Sequence, residues 1–355
     1  MATLDTLLCY LKDNDGSDLH LAAGLEPRIR AKGRLRVIEN QPVLSDESLR
    51  PQLEEVASER QWSEYLATND LDFAYGLEGI ARFRANYFVQ ENGAAAVFRI
   101  IPEEIITLEK LNLPDAVSAL ADLNGGLVLV TGPTGSGKST TLAAIIDKVN
   151  HTYNKHIVTI EDPVEFVHQN RGCIFSHREV GLHTLGFGPS LRSAIRQDAD
   201  IILVGEMREQ ETIALAITAA EMGMLVFGTL HTNNAIKTID RIIDAFPAEE
   251  QNMVRISLSE SLVAIVSQLL LPTADGKGRI AANEILLKTD GLPNVIREGK
   301  TMMLNSIIQS GKAQGMQAMD DVLFDYAQAG KITAHDAYMK ATDKGRFEPL
   351  LGADA

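Results

Sequence analysis

At 355 residues the chain is longer than one ordinary hydrophobic core organises, which implies two domains. A 45% hydrophobic content with near-zero mean hydropathy describes a soluble globular protein, with no run near the ~18 apolar residues of a membrane span and no basic-then-apolar leader at Met1–Leu11. The net charge of −15 argues against a nucleic-acid surface, and the two distant cysteines, Cys9 and Cys173, make no metal spacing and point to a reduced cytoplasmic setting.

Residues 1–100 read as a small α+β domain. Leu4, Leu7, Leu8 and Leu11 share one face of a helix, and Ser17–Leu21 alternates like a strand. Arg28–Ala31 and Arg34–Val37 form a hairpin across Lys32-Gly33. Ser45–Leu66 reads as one helical stretch with Pro51 near its start. A second hairpin, Arg82–Gln90 with Ala94–Ile101, turns at Glu91-Asn92-Gly93. Residues 101–115 are the expected linker, broken by Pro102 and Pro114 and rich in acid. From 116 onward strands alternate with helices, which implies a largely parallel sheet. The strands expected there are Leu127–Thr131, His156–Ile160, Ile201–Val204 and Leu225–Thr229, followed by a helical part over 291–355 with turns at Gly311, Gly315 and Gly330.

The most informative stretch is Gly132-Pro133-Thr134-Gly135-Ser136-Gly137-Lys138-Ser139, followed by Thr140. It lies between a short apolar strand and a helical pattern carried by Leu142, Ile145, Ile146 and Val149. Glycines let successive backbone N–H groups turn toward an anion, and the helix N-terminus adds its positive end. Lys138 would then reach the β- and γ-phosphates of a nucleoside triphosphate such as ATP, and the Ser139 hydroxyl would sit on Mg²⁺. A plain glycine turn between a core strand and a helix is outweighed by the complete motif with both flanks in place.

Three further groups fall at expected strand ends. Glu161, Asp162 and Glu165 could orient an attacking water or hold Mg²⁺. Glu206 follows the apolar run Ile201–Val204 and Gly205, the layout of a metal-supporting carboxylate. His231 follows Phe227–Leu230; it could sense the γ-phosphate, or simply cap the strand. Transition-state charge also needs cations, and Arg82, Arg84, Arg99, Arg192, Arg196 and Arg208 are candidates. Arg84 and Arg99 are favoured, because a finger supplied by another domain or subunit couples hydrolysis to movement.

Taken in order, these residues resemble the secretion-type hexameric ATPases, and most closely the PilT family of type IV pilus retraction motors. Gly16–Leu21 is similar to the family's opening motif, Gly132–Ser139 to its Walker A, Thr159–Glu165 to its Asp box and Gly228–Thr232 to its His box. Arg178–Gly181 and Ala194–Asp198 lead into Glu206 of its Walker B, while Ser267–Leu270 and Ile296–Lys300 resemble later signatures. The resemblance implies a PAS-like N-terminal domain and a RecA-like P-loop domain, assembled as a homo-hexamer. It implies Glu165 as the carboxylate that activates water, Glu206 as the metal-side carboxylate and His231 as the nucleotide-state histidine. Its implied partners are an inner-membrane pilus platform protein and a paralogous motor ATPase, with the ring cytoplasmic at the pilus base.

The chain departs from the family at two places. Glu221-Met222-Gly223-Met224 stands where Glu-Thr-Gly-His is common, and Leu292-Pro293-Asn294-Val295 alters the first half of the retraction signature. Alternatives are an assembly or type II secretion ATPase, which usually carries a four-cysteine zinc insertion, and an accessory ring member that binds ATP with little turnover.

Overall fold

The computed structural model describes residues 3–31, 33–101 and 104–351. Lys32 of the first hairpin and Pro102 and Glu103 of the expected linker lie outside them. Two compact units emerge: one from Met1–Glu104 with Asp162–Val167, the other from Ile105–Glu161 with His168–Ala355. The fold class is α/β with two sheets, as the sequence implies.

In the first unit, α1 (Asp5–Asp13) leads into β1 (Gly16–Ala22), β2 (Arg28–Ala31) and β3 (Arg34–Val37). Then come α2 (Asp46–Val56), α3 (Glu59–Thr68), β4 (Asp70–Leu77), β5 (Ala81–Gln90) and β6 (Gly93–Ile101). The strands form an antiparallel sheet in the order β3-β2-β1-β6-β5-β4. Alternation decides its two faces. Phe83, Ala85 and Tyr87 of β5 are buried, whereas Arg82, Arg84 and Asn86 point to the other side. On the buried face Tyr87 meets Phe73, Phe98 and Tyr65 edge-on, with ring centroids 5.1, 5.8 and 5.8 Å away.

The single helix expected over Ser45–Leu66 is two. Ala57 closes the first and Ser58 caps the second, its side chain and that of Gln61 each taking the other residue's backbone N–H. Pro51 lies inside α2, where it forgoes one main-chain bond. Strand β4 was not among the expected elements.

The second unit begins with α4 (Asp115–Ser118) and β7 (Gly126–Thr131), then α5 (Lys138–Thr152), β8 (His156–Glu161) and β9 (Ile174–Glu179). Next are α6 (Phe187–Ala194), β10 (Ile201–Val204), α7 (Gln210–Glu221), β11 (Leu225–Leu230), α8 (Ala235–Asp244) and α9 (Gln251–Ser261). Its sheet runs β13-β12-β7-β11-β10-β8-β9 and is parallel apart from the pair of β12 (Leu262–Pro272) with β13 (Arg279–Leu287). Strands β9, β12 and β13 are additions to the four expected. The run closes with α10 (Leu292–Arg297), α11 (Leu304–Ser310), α12 (Met319–Gln328), α13 (Ala334–Lys340) and α14 (Lys344–Leu351). Among the described residues no helix is long and apolar enough to cross a membrane.

Pro293 falls in the first turn of α10, where a missing N–H costs nothing.

Candidate nucleotide site

β7 is buried throughout from Leu127 to Thr131 because it lies between β12 and β11 in mid-sheet. At its carboxyl end the chain turns through Gly132 (φ 145°) and reaches Gly137 (φ 87°), the N-cap of the 15-residue α5. A Cβ on Gly132 would run into the Gln268 carbonyl and the Ser136 hydroxyl, and one on Gly137 would lie 2.9 Å from the Gln268 side-chain nitrogen. Only glycine fits either place. Pro133, Thr134 and Gly135 are exposed at the tip, while Ser139 and Thr140 are half-buried in the first turn of α5.

Lys138 is buried, its ammonium donating to the carbonyls of Gly132 at 2.9 Å and Pro133 at 3.2 Å. Those bonds curl the loop around the position a phosphate would take. The Ser136 hydroxyl is buried without a hydrogen-bond partner, which a phosphate oxygen would satisfy. A helix N-terminus, a buried cation and an orphaned hydroxyl therefore lie within one short loop, the components an anion site needs.

The neighbouring strand ends carry the second group. Beyond β10, the N–H of Gly205 donates to Ile160 at 2.8 Å and the N–H of Met207 to Thr229 at 3.0 Å, which fixes Glu206 between them. Thr229 Oγ1 returns a bond to the Gly205 carbonyl. The Glu206 carboxylate is half-buried; its Oε1 lies 2.8 Å from His231 Nε2 and also accepts from Arg208 Nε. His231 follows β11, the strand directly between β10 and β7. Lys138, Glu206 and His231 thus occupy the carboxyl ends of three adjacent parallel strands, the edge where open α/β sheets bind ligands.

The other candidates belong to the first unit. Arg84 and Arg99 face each other across β5 and β6. Arg99 Nε donates to Asp18 at 2.7 Å, and Arg84 Nε lies 3.6 Å from Asp72 with both side chains about half exposed. Burial alone would raise the pKa of the Asp18 carboxyl. The Ser17 hydroxyl and Arg99 outweigh it and hold the group below its usual range. Glu165 lies in Asp162–Val167, where Arg82 donates to the carbonyl of Val164 at 2.9 Å. Of the remaining arginine candidates, Arg192 pairs with Glu211.

A family model described as "Type II/IV secretion system protein" matches residues 13–328. The chain belongs to that family. It is 50% identical to the type IV pilus retraction ATPase PilT of Pseudomonas aeruginosa over 94% of this chain and 97% of that one. It is 41% identical to the type IV pilus ATPase PilU of the same organism, over 95% and 88%. A crystal structure of the pilus retraction motor PilT with bound ADP superposes with a TM-score of 0.90 at 42% identity, covering 99% of this chain and all of that one. The family is one of ATPases.

Gln268 and Arg208 are parts of this arrangement whose contacts sequence reasoning did not anticipate. Gln268 stood only in a signature segment. The signal that could have found it is the apolar run of β12, which is interrupted by polar Ser267-Gln268 where Ser267 pairs with Thr131 at the end of β7.

Proposed function

We propose that the chain is a Mg²⁺-dependent ATPase working as a hexameric motor that powers type IV pilus retraction, and so twitching motility. The observation that carries it is the Glu206–His231 pair at 2.8 Å, one strand removed from the phosphate loop. A loop alone holds a nucleotide. A carboxylate and an imidazole at the adjoining strand ends add groups that respond to the γ-phosphate.

In this reading the backbone from Gly132 to Thr140 binds the phosphates and Lys138 neutralises the β- and γ-oxygens. The Ser139 hydroxyl and the Glu206 carboxylate are the hard oxygen donors that suit Mg²⁺. Among the described residues no group of three or more His, Cys, Asp or Glu forms an all-protein cage. Mg²⁺, when bound, supplies charge neutralisation across the β- and γ-phosphates. Glu165 takes the proton of the attacking water. His231 holds Glu206 in one orientation and exchanges that contact as the nucleotide state changes. Arg84 and Arg99 act as the fingers that meet transition-state charge. The motor would work in the cytoplasm at the pilus base against an inner-membrane platform protein, with a paralogous motor ATPase as a further partner.

Two measurements test this. Purified protein should hydrolyse ATP only with Mg²⁺, and Glu206→Ala should cut turnover by about a hundredfold or more; an unchanged rate removes the motor reading. In cells, deletion should leave excess surface pili, whereas loss of all pili would assign the chain to assembly.

A further inference from the structure

Behind the phosphate loop stands Gln268, one residue past Ser267, which pairs in register with Thr131. Its side chain is buried and fully engaged. The amide nitrogen donates to the Ser136 carbonyl at 2.6 Å; the amide oxygen accepts from Thr141 Oγ1 at 2.8 Å and from Asn283 Nδ2 at 3.0 Å. One amide therefore ties together the loop, the first turn of α5 and strand β13. The carbonyl of Ser136 and the N–H of Gly137 belong to one trans peptide and point in opposite directions. Holding that carbonyl on Gln268 aims the Gly137 N–H away from Gln268, into the loop.

The connection continues through β13. The Asn283 carbonyl accepts from Gln317 Nε2 at 2.7 Å, and Gln317 exchanges main-chain bonds with Ile285 just before α12 begins. Glu284, the next residue of β13, is buried and accepts from the N–H of Ala235, the first residue of α8, at 2.8 Å. It also accepts from the N–H of Met319, the first residue of α12, at 3.5 Å. Neighbouring residues of one strand thus reach the phosphate loop on one side and the helix after His231 on the other. Both paths end at the N-terminus of α12.

We propose that Gln268 is a positioning residue for the phosphate loop and the first link of a relay, Gln268–Asn283–Gln317, through which nucleotide occupancy sets the first turn of α12. The amide matches its three neighbours only in one orientation, so a shift of the Ser136 carbonyl is passed on to Asn283. An apolar replacement leaves a buried carbonyl, hydroxyl and amide without partners. The inference rests on the loop being a nucleotide site, and its test separates the two claims.

Mg-ADP affinity and amide hydrogen exchange over residues 319–323 are to be measured on the full-length protein, with and without saturating Mg-ADP. In the unaltered protein Mg-ADP should change exchange at those amides. Gln268→Leu should weaken ADP binding about tenfold and abolish the α12 response even at saturation. Gln317→Leu should leave affinity within about twofold and still abolish the response, which a merely structural role for Gln268 would not produce. If Gln268→Leu does not fold, Gln317→Leu and Asn283→Leu decide the relay. Binding without any α12 response, a response that survives in either variant that folds, or unchanged affinity in Gln268→Leu overturns the proposal. Failure of the unaltered protein to bind Mg-ADP overturns the nucleotide reading itself.

Discussion

Glu206 accepts from Arg208 and His231 on the same oxygen, so its orientation is decided by two neighbours rather than by its backbone. Whatever competes for Oε1 would also free the imidazole. The absent family histidine bears on this less than its place in the sequence suggests. Met224 sits at the amino end of β11, its carbonyl accepting from Gly126, and His231 follows the carboxyl end, roughly 20 Å along the strand. A different histidine has a measurable consequence. His168 is buried, its ring parallel to Phe175 with centroids 4.9 Å apart, and its N–H donates to His177 Nε2 at 3.2 Å, while His177 Nδ1 lies 2.9 Å from Thr159 Oγ1. Burial, with a contribution from His177, pushes the pKa of His168 down to about 4. The folded state therefore binds this proton more weakly than the unfolded chain. The stability linked to it is complete above pH ~6.5 and lost as pH falls toward about 4, on the order of 3 kcal/mol in all. His168→Phe should flatten that dependence, read as the denaturant midpoint at pH 7 and pH 5; an equal drop in both proteins would place the sensitivity elsewhere.

At the scale of elements, β7, the glycine loop and α5 were legible because their signals are local: an apolar run, a complete motif and a helical period in unbroken succession. The hairpin of β12 and β13 was not. Leu262–Leu271 is a nearly continuous apolar run, which periodicity alone cannot assign to strand or buried helix, and its place beside β7 is a long-range fact. The break between α2 and α3 was written in the sequence as Ser58 and Gln61, a capping-box spacing that the longer apolar pattern obscured. That Asp162–Val167 packs with the first unit follows from no local signal, so the elements around Glu165 could not be read in advance. The tight fit of loop against hairpin gives Gly137→Ala a definite outcome. The substitution places a Cβ 2.9 Å from the Gln268 nitrogen at φ 87°, which should cost about 1–2 kcal/mol of stability and disturb the bond to the Ser136 carbonyl. Thermal unfolding should show the loss, and ADP titration should show weakened binding; normal affinity would mean that the loop tolerates a side chain there.

For the whole molecule the question is where the transition-state cations come from. Arg84 and Arg99 lie side by side on the first unit, yet their substitutions report different things. Asp18 is almost fully buried and keeps its charge through Ser17 and Arg99, so Arg99→Ala leaves the buried carboxylate only the Ser17 hydroxyl and Arg30 at 3.8 Å and should cost about 1–3 kcal/mol of stability. Loss of activity in that variant would mix folding with chemistry. Arg84 and Asp72 are both about half exposed, and removing Arg84 should change stability by less than about 0.5 kcal/mol. Arg84→Ala is therefore the cleaner probe: a finger lost from the site should lower turnover by about 10³-fold while the melting temperature holds. Subunit mixing then decides its origin. Arg84→Ala subunits keep an intact phosphate loop, and Lys138→Ala subunits keep an intact arginine. If the arginine serves a neighbouring subunit, mixed rings join a working loop to a working finger and regain ATPase activity that neither variant has alone. If it serves its own chain, every mixed ring stays inactive, and the coupling of hydrolysis to motion must run within one subunit instead of around the ring.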